Sequence, residues 1–173
     1  MRFKLLTVLL ALVAVVAVGG LISQVPNSNL SFNSGHDCAI NSTSQVIDYG
    51  TDNPSEPTLA CANNFSGTGW DLFSATKHRV EGTGEYPTGF VCRIDDFPPV
   101  ATENCATIPD AKRGHWAYFY ATADSGSTWH YSLQGAATRK PKCGDWDGWR
   151  YLLPGEDPVS NPPREAAQPY RCK

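Results

Sequence analysis

Charge is scarce in this sequence: Asp, Glu, Lys and Arg together make up 18% of the 173 residues, with 14 basic side chains against 17 acidic ones. Arg2 and Lys4 sit in the first four residues, so the remainder carries 12 − 17 = −5, a balance that argues against a nucleic-acid or anionic-membrane surface. No Cys-x-x-Cys pair occurs, and His78, His115 and His130 fit no metal-ligand spacing, so no metal site and no cofactor are expected. Gly-x-Ser-x-Gly is missing, and no Ser, His and acid can be given triad roles, so a non-enzymatic protein is expected. Asp95-Asp96 and Asp145/Asp147 are the only carboxylate pairs of interest for glycoside chemistry, and their turn-like surroundings favour solvated caps. A second domain has no room to bury a core of its own.

What is present is glycine (15), proline (13) and aromatics (11%), a mixture that favours short strands and tight turns over a helical bundle. Two positive charges in residues 1–4 precede LLTVLLALVAVVAV, the n-region and h-region of an export signal. Residues 1–23 are therefore expected to be a cleaved signal peptide. A retained anchor is the alternative, because Leu21-Ile22 lengthen the apolar run to about the ~18 residues a span requires, and it offers the chain's only route to a membrane.

Six cysteines (38, 61, 92, 105, 143 and 172) follow the leader, an even number that suits disulfides in an oxidising compartment, outside the cell or on its envelope. Cys92 with Cys105 is the pair expected from position, since Pro98, Pro99 and Pro109 bend the short loop back; its closure is worth on the order of 3 kcal/mol. The pairing of Cys38, Cys61, Cys143 and Cys172 stays open.

Along the chain, residues 24–43 read as an Asn- and Ser-rich linker, 44–50 as a first strand, and 51–60 as a Pro-containing loop. Thr68-Gly-Trp-Asp71 has the form of a capping box and opens a helix over about 69–80. FVCRIDD (90–96) alternates as a half-buried strand that Pro98-Pro99 ends. His115–Ala123 and the stretch Trp129, Tyr131, Leu133 form a hairpin around Ser125-Gly126-Ser127, GWRYLL (148–153) is a last strand, and 154–173 is a Pro-rich tail stapled by Cys172.

Several of these stretches, taken in order, carry a likeness. GFVCRIDDFPP, Cys105 ahead of a proline, HWAYFY, STWHYSLQGAA and GDWDGWRY resemble a domain of secreted and surface proteins of high-GC Gram-positive bacteria, itself similar to the C-terminal domain of transcobalamin and intrinsic factor. The likeness covers residues 44–153. It departs from the pattern at Ile94-Asp95-Asp96, where a turn glycine is usual, at His115-Trp-Ala-Tyr-Phe119, and at Cys143 and Cys172. The resemblance implies an α+β fold of the β-grasp type, a small mixed sheet with one covering helix, and a binding or scaffolding role more than catalysis.

Trp116, Tyr118, Tyr120, Trp129, Tyr131, Trp149 and Tyr151 recur at strand spacing, as the packed face of a sheet would require. An exposed subset can stack on a flat or sugar-like ligand, and Trp129, His130, Tyr131, Trp146, Trp149 and Arg150 at one end of the sheet are its candidates. Arg93, opposite Cys92 and Ile94, is a candidate for an anionic group or for pairing with Asp95 or Asp145. The expected function is a secreted or envelope-associated binding domain for a small molecule. A structural or protein-interaction part of the cell envelope is the alternative, and a hydrolase ranks last.

Overall fold

The computed structural model describes residues 38–172. The expected leader (1–23) and most of the expected linker (24–43) lie outside the described residues.

Seven strands and one short helix follow in order: β1 (Ser42–Asp48), β2 (Thr58–Asn63), α1 (Gly69–Ala75), β3 (Val80–Gly82), β4 (Val91–Ile94), β5 (His115–Ala121), β6 (His130–Tyr131) and β7 (Trp146–Leu152). Five of them build a mixed sheet in the order β2-β1-β7-β5-β6, with β3 and β4 as a separate antiparallel pair. The central pair, β1 and β7, runs parallel, and every other neighbouring pair is antiparallel. The α+β class, a small mixed sheet with one short helix and three disulfides, is as expected.

Strands β1 and β7 are buried along their whole length, which requires both faces of the sheet to be covered. On one face Trp116, Tyr118, Trp149, Tyr151 and Ile47 pack against Phe73 of α1 and against Val91 and Ile94 of β4. Tyr118 and Trp149, cross-strand partners, stack at 4.5 Å. The opposite face carries Val46, Trp146, Ala121, Phe119 and Leu152 and is closed by the C-terminal segment through Ala167, with Trp129 packed beside them. Residues 154–172 therefore form a layer of the domain, where the composition suggested only a meandering tail.

Charge holds that layer in place. Asp48 is wholly buried, and Arg164 donates to it from Nη2 (2.7 Å), Nε (3.1 Å) and the backbone amide (2.8 Å). Tyr170 closes the far end, its hydroxyl accepting from the Ser42 amide at 3.0 Å and its own amide donating to Gly144 O. Gly144 has φ +81°, and a Cβ there would lie 1.9 Å from Tyr170 O, so only glycine admits this approach. Cys143–Cys172 staples the segment, Cys38–Cys61 ties the residues before β1 to β2, and Cys92–Cys105 closes the loop after β4 as expected.

Several boundaries differ from expectation. The stretch read as a loop, 51–60, gives way to β2 at Thr58, an edge strand whose partial exposure blurs its alternation. The helix starts at its capping box, where Thr68 and Asp71 cap each other reciprocally, but it stops at Ala75 rather than near 80. Thr76 bonds back to Leu72 O and onward to Gln45, Lys77 takes φ +68°, and the His78 amide reaches Phe73 O, a Schellman-type stop without glycine. Strand β1 starts at Ser42 within the stretch read as linker, β4 is shorter than 90–96, and β7 begins at Trp146 rather than 148. The hairpin of β5 with β6 forms, but β6 holds only two residues, and Leu133 is 93% exposed instead of packed.

Residues 94–97 form a tight turn although the usual glycine is missing. Ile94 and Phe97 exchange both backbone hydrogen bonds, and Asp95 and Asp96 take φ +47° and +68°, the left-handed pair of a two-residue hairpin loop. Aspartate tolerates that region better than most residues, and here both side chains are used: Asp95 accepts from Tyr49, His78 and the Arg79 amide, and Asp96 pairs with Arg79.

Candidate functional site

The expected site residues divide into a buried group and an exposed group. Trp146, Trp149 and Arg150, expected at an exposed strand end, are 2%, 4% and 5% accessible, because the sheet is covered on both faces. Arg150 lies beside Asp48 and bonds Pro162 O and Glu156, so its charge serves the C-terminal layer. Trp149 is one of the residues lining a cleft of about 190 Å³. Arg93 is also buried. It pairs with Glu81, not with Asp95 or Asp145, and donates to Pro98 O and Glu103 O, which fixes the loop of the Cys92–Cys105 disulfide.

Trp129, His130 and Tyr131 do come together, at the β6 edge of the sheet. They line a groove of about 570 Å³ with Phe119 and Tyr120 of β5, Ser132–Gln134, Arg139, Pro158 and Val159. Antiparallel pairing sets their order. Tyr120 lies opposite His130 and the two rings stack at 5.5 Å, while Phe119 lies opposite Tyr131 with the rings edge-to-face at 5.7 Å. Tyr131 (39% exposed), Leu133 and Val159 (79% exposed) present apolar surface to solvent along the groove. Trp129 forms its base: the indole Nε1 donates to Glu165 O at 2.8 Å, and the ring lies over Gly148, where a Cβ would come within 2.8 Å of it.

Arg139 closes one side. Its guanidinium lies 4.5 Å from the Tyr120 ring centroid and donates to Asp147 (3.0 Å) and Asp145 (3.1 Å), while Tyr118 donates its hydroxyl to Asp147. Asp145 and Asp147 are therefore not solvated caps but a buried pair bridged by one arginine. Burial pushes the Asp147 carboxyl up to about 6 against the opposing pull of Arg139 and Tyr118. Burial, together with the charge of Asp147, raises the Tyr118 phenol. The Arg139 carbonyl accepts from Gly69 at the start of α1, so the same short loop supports the helix and the groove wall. Gly69 must be small, since a Cβ would sit 2.3 Å from the Tyr118 hydroxyl.

Elsewhere, His78 Nδ1 lies 2.5 Å from Asp95 Oδ2, and His78 Nε2 is buried without a partner among the described residues. Among the described residues no hydroxyl or thiol bonds to that nitrogen. Among the described residues no cluster of three or more His, Cys, Asp or Glu is arranged to hold a metal, and no helix is long and apolar enough to cross a membrane.

Sequence reasoning missed Phe119, Tyr120, Ser132, Leu133, Gln134, Arg139, Pro158 and Val159 as groove residues. Arg139 belongs to a turn without periodicity, and Pro158-Val159 return to β6 from beyond β7, so no local pattern connects them to His130. No family model matches this chain, and comparison with curated proteins and with solved structures found no match.

Proposed function

We propose that this chain is an exported, non-catalytic binding domain whose ligand lies in the groove at the β6 edge. The observation that carries the reading is the groove itself: about 570 Å³, within the range of small-molecule sites, with Tyr120, Trp129, His130 and Tyr131 gathered around it. Their rings offer stacking faces and their polar atoms orientation, which suits a flat or sugar-like ligand. Export is supported by the charged and apolar leader and by three disulfides, which persist in oxidising compartments. A β-grasp-like assignment, and with it the transcobalamin-type resemblance, is supported by a helix that follows the first hairpin and by a parallel central pair flanked by antiparallel neighbours.

Native mass spectrometry of the protein recovered from its own culture medium tests the reading. A small-molecule mass retained in the native spectrum, lost on denaturation and lost from Tyr131→Ala, is the expected result. A protein that carries no such mass at any stage of recovery overturns it. A second reading, an envelope protein docked on this edge, is favoured by the exposure of Leu133 and Val159. In that case a co-purifying protein replaces the small mass, and Leu133→Ser releases it.

A further inference from the structure

Arg139 belongs to two depressions at once. Beyond the aromatic groove it also lines a second one, of about 530 Å³, with Lys140, Lys142, Arg171 and the Cys143–Cys172 disulfide. The charges in this second depression do not cancel. Arg139 is engaged by Asp145 and Asp147, and Arg171 by Asp124. Lys140 and Lys142 are exposed, and no carboxylate among the described residues pairs with either ammonium group. Two uncompensated cations thus stand beside an aromatic platform, on a chain whose part beyond the leader carries a surplus of acid. A free ammonium next to a partly enclosed surface attracts a carboxylate or phosphate, whereas an exposed aromatic face attracts the apolar face of a sugar ring.

The geometry points to an oligosaccharide that bears carboxylate or phosphate groups as the ligand class, with sugar rings against His130 and Tyr131 and an anionic substituent past Arg139 at Lys140 and Lys142. This inference rests on the groove being the binding site, and it adds the class of ligand. Arg139 acts in it as a positioning residue: its own charge is spent on Asp145 and Asp147, so it sets the distance between platform and lysines.

Isothermal titration calorimetry of the full exported protein separates the possibilities with four probes: oligogalacturonate (rings with carboxylates), a phosphorylated oligomannose (rings with phosphate), cellohexaose (rings alone) and tripolyphosphate (charge alone). Binding of one or both charged oligosaccharides, at least roughly tenfold tighter than cellohexaose or tripolyphosphate, is expected. The two charged arms identify which anion the lysines take. Lys140→Ala with Lys142→Ala, two exposed positions away from the core, is expected to weaken that binding roughly tenfold and to remove its salt dependence. Tripolyphosphate binding as tightly as the charged sugars overturns the inference, because no ring is then needed. Cellohexaose binding equally well and indifferent to the lysine variants overturns it too, while leaving the groove intact as a site if Tyr131→Ala abolishes that binding. No heat with any probe from a protein that retains a different small mass in its native spectrum overturns the ligand class alone; no heat together with no retained mass removes the groove as well.

Discussion

Replacing Arg164 by methionine removes the guanidinium and keeps most of the aliphatic volume. Asp48 would then lie wholly buried with its two amide donors, Gly50 N at 3.0 Å and Arg164 N at 2.8 Å, and with Arg150 Nη1 at 3.7 Å. Breaking one partner out of a buried ion pair costs about 3–5 kcal/mol. The surviving donors and the 34% exposure of the Arg164 side chain place this case at the lower end, about 3 kcal/mol. With a urea m-value of about 2 kcal/mol/M, the unfolding midpoint falls by roughly 1.5 M. The loss also depends on pH. Burial alone would raise the Asp48 carboxyl, but the bonds from Arg164 and Gly50 outweigh it and hold the group below its usual value. A depressed carboxyl contributes stability at pH values above the ordinary value of 3.8, and that contribution is lost as pH falls through the folded value. The gap between wild type and Arg164→Met, measured by urea denaturation, is therefore wide at pH 7 and narrows towards pH 3. A cost below about 1 kcal/mol at pH 7, or a gap that does not change with pH, would refute the claim that the C-terminal segment is a charged layer of the core.

Asp147 gives the opposite sign. Its folded value of about 6 lies above the ordinary 3.8, so the group opposes folding once ionised, and its contribution to stability grows by up to about 3 kcal/mol as pH drops from 7 to 4. Asp147→Asn is expected to lose that gain, so the difference in urea midpoint between the two proteins shifts in favour of wild type over this interval; a constant difference would contradict the assignment. Asp96→Gly relieves a residue at φ +68° and gives up only the exposed pair with Arg79, so thermal unfolding should show a stabilisation of up to about 1 kcal/mol, and a destabilised protein would show that the ion pair outweighs the backbone.

Much of the sheet was legible because large aromatics alternate along β5 and β7, and because Thr68 and Asp71 mark the helix start unambiguously. The end of α1 was not, since Lys77 adopts a conformation for which glycine is the usual signal. Strand β2 was obscured by prolines before it and by its own exposure. The site proved harder for a topological reason. Trp129, His130 and Tyr131 lie in one continuous stretch and could be named together, whereas Trp146, Trp149 and Arg150 look equally amphipathic in sequence and are hidden by a segment rich in proline that gives no periodic sign of packing. Arg164 carries the explanation: a lone arginine in a polar tail reads as solvated until its partner, Asp48, is known to be buried on a strand more than a hundred residues earlier.

The location of the site is the central claim, and hydrogen exchange tests it most directly. Peptide-level exchange is measured on the protein as recovered and again after bound material has been stripped by unfolding and refolding with the disulfides intact. The account predicts that stripping loosens residues 118–139 and 157–160, the walls of the β6 groove, and leaves β3 and β4 unchanged. Identical exchange in the two preparations, or a change centred on β3 and β4, would contradict it.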